Sequence, residues 1–396
     1  MRYKNLSISL DHGHYDRLQE ISIHQLSRTI DAPLFFQTDR AAITVFEDMA
    51  HSLGAEIVES PRTPWGNPAE IFKRDVDRQN MLHVAGLTAI NLFNVSLFPK
   101  CNLAIYDEKF IIKEYLGTPH HGHAMRWLRK QYSLLGLHFE ITKSIPQPEK
   151  TYSRGIDFSV DIGDTNVFHW VGRVLPKIKF LRDYPSDWPI VFSYQPTEFQ
   201  SDSLRLLGVT NPILIIDRNH ISKFEKYIFL EGMWSSIHKG MMDYLRSNLL
   251  LPANNETVQV KKLYVFRRPT WTRELINRNE ISTFLKSKGY TLHSLGGLGL
   301  VDTISLFRSV DELIFEHGAA GVFTMFTKPG AKILEIIPSR VHKSANEPTN
   351  FFFWLATVLG RPFEYIICEN IRTEPWAEYS VELTLLKERM LSLGME

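Results

Sequence analysis

Two adjacent arginines stand where an apolar strand ends. Arg267 and Arg268 directly follow the run Leu263 to Phe266. A guanidinium group is planar, stays charged and can hold a phosphate through two parallel hydrogen bonds. Basic side chains at the carboxyl end of a strand lie where α/β folds bind their ligands. The pair therefore predicts a phosphate site, and a solvated charged loop is the alternative interpretation.

A second stretch, residues 311–338, predicts a strand, a turn of small residues, a short helix, a second turn and a second strand. His317 stands at the mouth of the first turn, and four small residues follow it as far as Gly321. Small residues let a ligand approach the backbone closely. A helix starting near Val322 would point free N–H groups at that opening and favour an anion such as phosphate. An ordinary strand–turn–helix packing unit is the alternative.

Strand and helix signals alternate from about residue 156 to the C-terminus, which predicts an α/β fold with parallel strands flanked by helices. The predicted strands are 189–194, 213–216, 228–230, 262–266, 291–295, 313–315, 332–337 and 363–368; the predicted helices are 170–182, 201–207, 236–250, 279–287, 301–308, 351–359 and 381–393. The polar stretch 251–256, which contains a proline, is the candidate hinge between two α/β units. Residues 1–150 show only scattered short strands, among them 103–106.

The composition limits the class of protein. A chain of 396 residues with 44% hydrophobic residues can bury a large core. Its 45 basic and 44 acidic residues leave a formal charge of +1, which argues against binding nucleic acid by bulk electrostatics. Two distant cysteines, Cys101 and Cys368, provide no disulfide framework. The first residues have no apolar core of the signal-peptide type, so a cytoplasmic protein is expected.

These motifs together resemble glycosyltransferase family 61. The resemblance rests on a strand end with arginine, a later Arg followed by an Asn-Glu pair, an HGA turn, and a Pro-Gly turn before a strand that ends in Glu and Pro. The matching positions are Arg267 or Arg268, Arg273, Asn279, Glu280, His317, Gly318, Ala319, Pro329, Gly330, Glu335 and Pro338. NVFHWVGRVLP, residues 166–176, resembles the motif of the family's N-terminal half, with His169 and Trp170 in place.

Two positions depart from the family pattern, within a likeness that covers about residues 164–368. Relatives often carry an acid after the His-Trp pair, where this chain has Arg173. The turn reads HGAAGVF instead of the more usual HGAGLTN, and its residues remain small. The first departure puts a carboxylate role at that position in doubt.

The resemblance implies a GT-B-like architecture, in which two Rossmann-like domains face a central cleft. Residues 1–252 would form the acceptor-side domain, and residues 253–396 would bind a nucleotide-sugar donor. The terminal helix could pack back on the N-terminal domain. Inversion at the anomeric carbon is implied, with no cofactor and no obligatory metal. Short histidine-rich tracts such as His120 to His123 lack an acid at helical spacing, so no metal site is assigned there.

The implied chemistry distributes roles among the candidate residues. The expected donor-binding residues are Arg267, Arg268, Arg273, Asn279, Glu280, His317, Gly318, Ala319, Ala320 and Glu335. Glu335 would accept from ribose or sugar hydroxyls, or else from neighbouring N–H groups as a structural acid. His317 would also stabilise the departing diphosphate. His169 is the first choice for the base and Asp164 the second, because the ordinary pKa of histidine suits proton transfer. A packed core histidine is the alternative for His169.

The expected reaction moves a sugar from a nucleotide sugar to a glycan or lipid-linked saccharide, as in capsule, lipopolysaccharide or exopolysaccharide assembly. The expected place is the cytoplasm or the inner face of the membrane, with peripheral membrane association through the acceptor and no nucleic-acid partner. Two alternatives stay open. One is an enzyme of the polysaccharide pyruvyl transferase type, and the other is a non-catalytic scaffold that binds nucleotides or glycans, which Arg173 makes thinkable.

Overall fold

The computed structural model describes residues 18–21, 89–99, 103–106, 110–112, 138–139, 148–158, 166–218, 220–230, 239–250, 259–268, 273–338, 351–368 and 378–395. The candidate base Asp164, the histidine-rich tract at 120–123 and the predicted hinge at 251–256 lie outside these residues. No helix within the described ranges is both long and apolar enough to cross a bilayer.

A nine-stranded mixed sheet occupies the first part of the described chain. Its strands are β1 (Leu18–Ile21), β2 (Ala89–Phe98), β3 (Leu103–Tyr106), β4 (Phe110–Ile112), β5 (His138–Phe139), β6 (Lys150–Asp157), β7 (Ile190–Phe192), β8 (Ile213–Ile215) and β9 (Ser222–Leu230). They lie in the order β5-β1-β4-β3-β2-β9-β6-β7-β8. Strands β9, β6, β7 and β8 are mutually parallel, as the alternation of strand and helix signals predicts. The antiparallel pairs involve strands before residue 150.

The second sheet consists of five parallel strands. They are β10 (Lys262–Val265), β11 (Thr291–His293), β12 (Glu312–Glu316), β13 (Lys332–Pro338) and β14 (Phe363–Cys368), in the order β11-β10-β12-β13-β14. The chain runs to one side of β10 to form β11 and to the other side to form β12. Connections therefore leave β10 and β12 in opposite directions, and ligands of doubly wound sheets bind at such a switch point, at the carboxyl ends of the strands.

The helices of the described residues pack on the two sheets, and the second sheet is covered on both faces. They are α1 (residues 167–181), α2 (Glu198–Leu206), α3 (Lys239–Leu249), α4 (Arg278–Ser287), α5 (Leu300–Phe307), a 3-10 helix (Ala319–Phe326), α6 (Phe351–Val358) and α7 (Leu383–Ser392). Helices α5 and α6 and the 3-10 helix share one apolar core with α1 and the first sheet. Helices α4 and α7 pack on the opposite face. The α/β class is confirmed, and the terminal helix α7 packs on the second sheet.

Helix α1 carries the motif that surrounds His169. The Asn166 side chain caps the helix by accepting from the Phe168 N–H at 2.9 Å. One wide turn, Trp170–Val174, follows the first three residues. Trp170 is buried and donates from Nε1 to Ser203 Oγ on α2 at 2.8 Å. The hydrogen bond and the buried ring fix the start of α1 against the core.

Gly321 allows the 3-10 helix to pack closely. A Cβ atom at this position would lie 2.7 Å from both Phe315 Cε2 and Phe352 Cε1. We therefore expect Gly321→Ala to lower the free energy of unfolding by about 1–3 kcal/mol through overpacking, measured by urea denaturation. The matched control is Gly299→Ala, where the nearest atom to the new Cβ would be 3.8 Å away. Equal stability of the two variants would contradict the packing role.

Candidate active site

The carboxyl ends of β10 and β12 bring the predicted arginine and histidine segments together. Arg267, just beyond β10, donates from its backbone N–H to Glu316 Oε2 at 3.1 Å. Its Nη1 donates to the backbone oxygen of His317 at 3.3 Å. The two segments are 50 residues apart in sequence and meet at the switch point. The candidate site is built around this contact.

His317 pairs with the acid that the sequence singles out in the next strand. His317 Nδ1 lies 2.6 Å from Glu335 Oε1, and the Glu335 side chain is 1% exposed. A carboxylate at Nδ1 leaves Nε2 as the ring nitrogen available to a ligand. The expectation that Glu335 serves either sugar hydroxyls or backbone N–H groups did not include this pair.

Burial raises the pKa of Glu335 above 4.5, and His317 beside it opposes that shift. A raised pKa means that folding favours the protonated carboxyl group, so this stabilisation is present below about pH 4.5 and is lost as the pH rises through the folded-state value. We therefore expect wild type to lose stability relative to Glu335→Gln between pH 4 and 7, measured by urea unfolding across that range. A relative gain over the same range would show that the attraction to His317 outweighs burial.

Gly318 makes room for the Arg267 side chain. A Cβ atom on Gly318 would lie 2.5 Å from Arg267 Nη1. The helix after the turn starts at Ala319, earlier than the sequence predicts, and is of the 3-10 type. Gly321 faces Phe352, as described above. From the sequence, the four small residues are expected to leave an opening for a ligand. In the structure, Gly318 and Gly321 accommodate side chains of this protein.

Arg268 points away from Arg267 toward the loop that follows β11. Its Nη2 donates to the backbone oxygen of Gly296 at 2.6 Å. A Cβ on Gly296 would come within 2.2 Å of Arg268 Cζ. The exposed Arg268 therefore lies against this loop, whereas Arg267 lies against the turn after β12. The two guanidinium groups are placed on either side of the end of β10.

His169 is connected to His317 through aromatic rings. The His169 ring lies 5.0 Å from that of Phe168, and the Phe168 ring lies 5.5 Å from that of Phe352. The Phe352 ring in turn lies 5.8 Å from that of His317. The first turn of α1 also packs against the 3-10 helix. The structure thus places both candidate catalytic histidines, half-buried, around one aromatic cluster.

A family model described as Glycosyltransferase 61 matches residues 167–334. This segment belongs to glycosyltransferase family 61. The recognition made from the motifs is confirmed, and the match supports a glycosyltransferase with sugar donor and acceptor substrates. The matched range contains α1, the ends of β10 and β12 and the turn at His317, and it ends one residue before Glu335. No curated protein matches the chain.

The later Arg and Asn-Glu pair of the glycosyltransferase 61 motif lie around the start of α4. Arg273 is half-buried, with a left-handed backbone conformation (φ 56°). Asn279 is exposed, and Glu280, also exposed, accepts from Asn277 Nδ2 at 2.9 Å. The structure does not bring Asn279 or Glu280 to the arginine–histidine contact. The residue between Asn277 and Asn279, Arg278, reaches Glu316, the acid that accepts from the Arg267 N–H.

Arg278 and Glu316 are site residues that the sequence does not reveal. Arg278 donates from Nε and Nη2 to the two carboxylate oxygens of Glu316, at 3.1 and 3.2 Å. Tyr264 donates to the same carboxylate at 2.7 Å. Burial raises the pKa of Tyr264, and the neighbouring Glu316 raises it further. The available signal was an acid immediately before the turn histidine at the end of an apolar strand.

The C-terminal segment supports this part of the candidate site. Asn277 Nδ2 donates to the Val381 oxygen at 2.8 Å, and its Oδ1 accepts from the Val381 N–H at 3.1 Å. The Ile276 N–H donates to the Tyr379 oxygen at 3.0 Å. Residues 378–381 therefore hold the loop that leads into Arg278.

Arg173, at the position where glycosyltransferase 61 relatives often carry an acid, is buried among aromatic rings. Its guanidinium carbon lies 4.9 Å from the centroid of Phe168 and 6.0 Å from that of Phe351. A cation over the faces of aromatic rings is stabilised by their electrostatic quadrupoles. Arg173 thus packs on the cluster that connects the two histidines.

Proposed function

We propose that the protein is an inverting, metal-independent glycosyltransferase that moves a hexose or pentose from a nucleotide sugar to a glycan or lipid-linked saccharide. The observation that carries the proposal is the meeting of Arg267 with His317 at the switch point of the second sheet. Doubly wound sheets bind nucleotides at that place. The family match supplies the reaction class.

In this proposal the donor diphosphate lies between the ends of β10 and β12. Arg267 and Arg268 offset its negative charge, and the backbone N–H groups of Gly318, Ala319 and Ala320 contribute partial positive charge. Arg273, Asn279 and Glu280 remain proposed contacts of the donor's outer parts. Stabilising the charge that develops on the leaving diphosphate is the largest expected contribution to the rate.

The proposed transfer is a single displacement. The acceptor oxygen attacks the anomeric carbon, and the bond from that carbon to the terminal phosphate oxygen breaks. The electron pair of the broken bond leaves with the nucleoside diphosphate. His317 contacts that diphosphate through Nε2, and Glu335 orients the ring through Nδ1. The proton of the acceptor hydroxyl passes to His169, with Asp164 as the second candidate.

A two-domain arrangement is part of the proposal. Residues 253–396 would bind the donor and residues 1–252 the acceptor, in a GT-B-like arrangement with the cleft between them. His169 supports this proposal because it is carried by α1, which shares a core with both sheets. The proposed setting is assembly of capsule, lipopolysaccharide or exopolysaccharide at the inner face of the membrane.

A donor screen tests the proposal. The purified full chain is incubated with a panel of nucleotide sugars, with and without EDTA, and release of nucleoside diphosphate is measured. We expect release from at least one donor, unaffected by EDTA, and loss of that release in Arg267→Met. Arg205→Met, which removes a surface guanidinium paired with Asp202 at 2.8 Å, is the matched control. Product formation from phosphoenolpyruvate instead would support the pyruvyl transferase alternative and overturn the proposal.

A further inference from the structure

One buried carboxylate receives hydrogen bonds from three elements beneath the proposed donor site. Glu316 is 1% exposed and ends β12. It accepts from Tyr264 within β10, from the Arg267 N–H just beyond β10, and from two guanidinium nitrogens of Arg278 at the start of α4. These four bonds link both strands of the switch point to the helix that follows β10.

We propose that Glu316 is a positioning residue of the donor site that fixes the Arg267 backbone and the Arg278 guanidinium in relation to each other. The inference rests on the proposed function, because it assigns to these cations the diphosphate of the donor. It adds Arg278 to the residues that hold the diphosphate. Neither Glu316 nor Arg278 was predicted from the sequence.

Glu316 reaches the two arginines in different ways. It holds Arg267 by the backbone N–H, so the Arg267 guanidinium makes no bond to Glu316 and donates from Nη1 to the His317 oxygen. It holds Arg278 by Nε and Nη2, so the Nη1 edge is the one left for an anion. That edge faces Glu274 Oε1 at 4.0 Å, and the Glu274 side chain is 41% exposed. A partly exposed pair at that distance contributes little and can be displaced by a phosphate.

The charges support an anionic ligand. The one carboxylate of Glu316 offsets one of the two guanidinium groups that it organises, and Arg268 adds a third at the same strand end. Two further acids lie nearby: Glu274 is half-buried and Glu280 is exposed, so solvent screens their charges. A diphosphate, with two or more negative charges, complements what remains.

The opposite end of the same strand provides a matched control. Glu312 begins β12 and accepts from Tyr290 at 2.7 Å, with Lys262 Nζ at 3.4 Å. It is thus an acid with a tyrosine and a cation, as Glu316 is, but it lies at the amino end of the sheet. Glu312→Gln removes the same charge as Glu316→Gln, far from the proposed site.

The test measures the affinity of inorganic pyrophosphate for the full chain by titration calorimetry, together with the melting temperature. We expect Glu316→Gln to weaken pyrophosphate binding by about tenfold or more, because the Arg278 guanidinium loses its charged partner and the Arg267 N–H loses a carboxylate acceptor. The pyrophosphate affinity of Glu312→Gln should stay within about twofold of the wild-type affinity. With a nucleotide-sugar substrate, Glu316→Gln should raise KM more than it lowers kcat, since the residue acts on binding.

The outcomes separate this inference from the proposed function. If wild type does not bind pyrophosphate, the diphosphate site fails and the inference fails with it. If wild type binds and Arg267→Met loses binding, but a folded Glu316→Gln binds normally, only the positioning role is overturned. Should Glu316→Gln not fold, Arg278→Lys is tested in its place. Lysine keeps the positive charge but cannot donate two parallel hydrogen bonds to Glu316. Normal pyrophosphate affinity in Arg278→Lys would also overturn the inference.

Discussion

His317→Ala is expected to lower kcat/KM for the nucleotide-sugar donor by about 100-fold or more, in the range that a positioned acid–base or charge-stabilising group supplies. The variant loses the ring whose Nδ1 is held by Glu335 and whose Nε2 is directed to the leaving group. It also leaves Glu335 buried without that partner. Steady-state kinetics with a donor identified in the screen measure the effect.

The control for this prediction is a second histidine that is paired with acids. His220 lies 3.0 Å from Asp217 and 3.2 Å from Glu149 at the exposed start of β9. His220→Ala should keep kcat/KM within about twofold of wild type. If His317→Ala retained normal turnover with an intact fold, the catalytic assignment of His317 would be wrong.

Gly318→Ala is expected to weaken donor binding by about tenfold or more, because the new methyl group and Arg267 Nη1 cannot both keep their places at 2.5 Å. The guanidinium is at the end of a flexible side chain and will move, so the fold should tolerate the change better than the site does. Pyrophosphate affinity by calorimetry and the melting temperature, measured on the same sample, distinguish the two effects.

Two comparisons sharpen this prediction. Gly321→Ala, three residues further on, places a methyl group against Phe315 and Phe352. Compared with Gly318→Ala, it should lower the melting temperature more and weaken pyrophosphate binding less. In an Arg267→Ala background, Gly318→Ala should add little further loss of affinity, because the atom that it displaces is gone. Additive losses in the double variant would contradict the proposed reason.

The sequence predicts the ends of β10 and β12 well because strand, turn and charge signals are local. An apolar run followed by Arg267, and another followed by His317, suffice to place both at one edge of a parallel sheet. The same reasoning predicts most helices of the alternating part within a few residues.

The partners of these residues could not be predicted in the same way. Glu316 meets Arg278 across 38 positions and His317 meets Glu335 across 18. Such pairs depend on strand register, and a shift of one residue would exchange the two faces of the sheet. Glu335 lies on the face shared with α1, and Glu316 lies on the face covered by α4 and α7, so two acids with similar local sequence surroundings receive different partners.

The first sheet shows a different limit of prediction from the sequence. Strand β2 spans ten residues and pairs with β9 and β3, yet the sequence before residue 150 predicts only scattered strands. Antiparallel strands with mixed surfaces lack the strong periodicity that identifies a buried parallel strand.

The bonds between Asn277 and Val381 have a practical consequence for anyone shortening this polypeptide. A version ending before residue 378 would lose the strap that steadies the approach to Arg278, although every side chain assigned to donor binding would still be present. It would also lose α7, which covers one face of the second sheet, so such a shortened protein would be less stable as well as bind its nucleotide poorly. Attachment of affinity tags or fluorescent fusions is accordingly better planned with all of residues 378–395 retained.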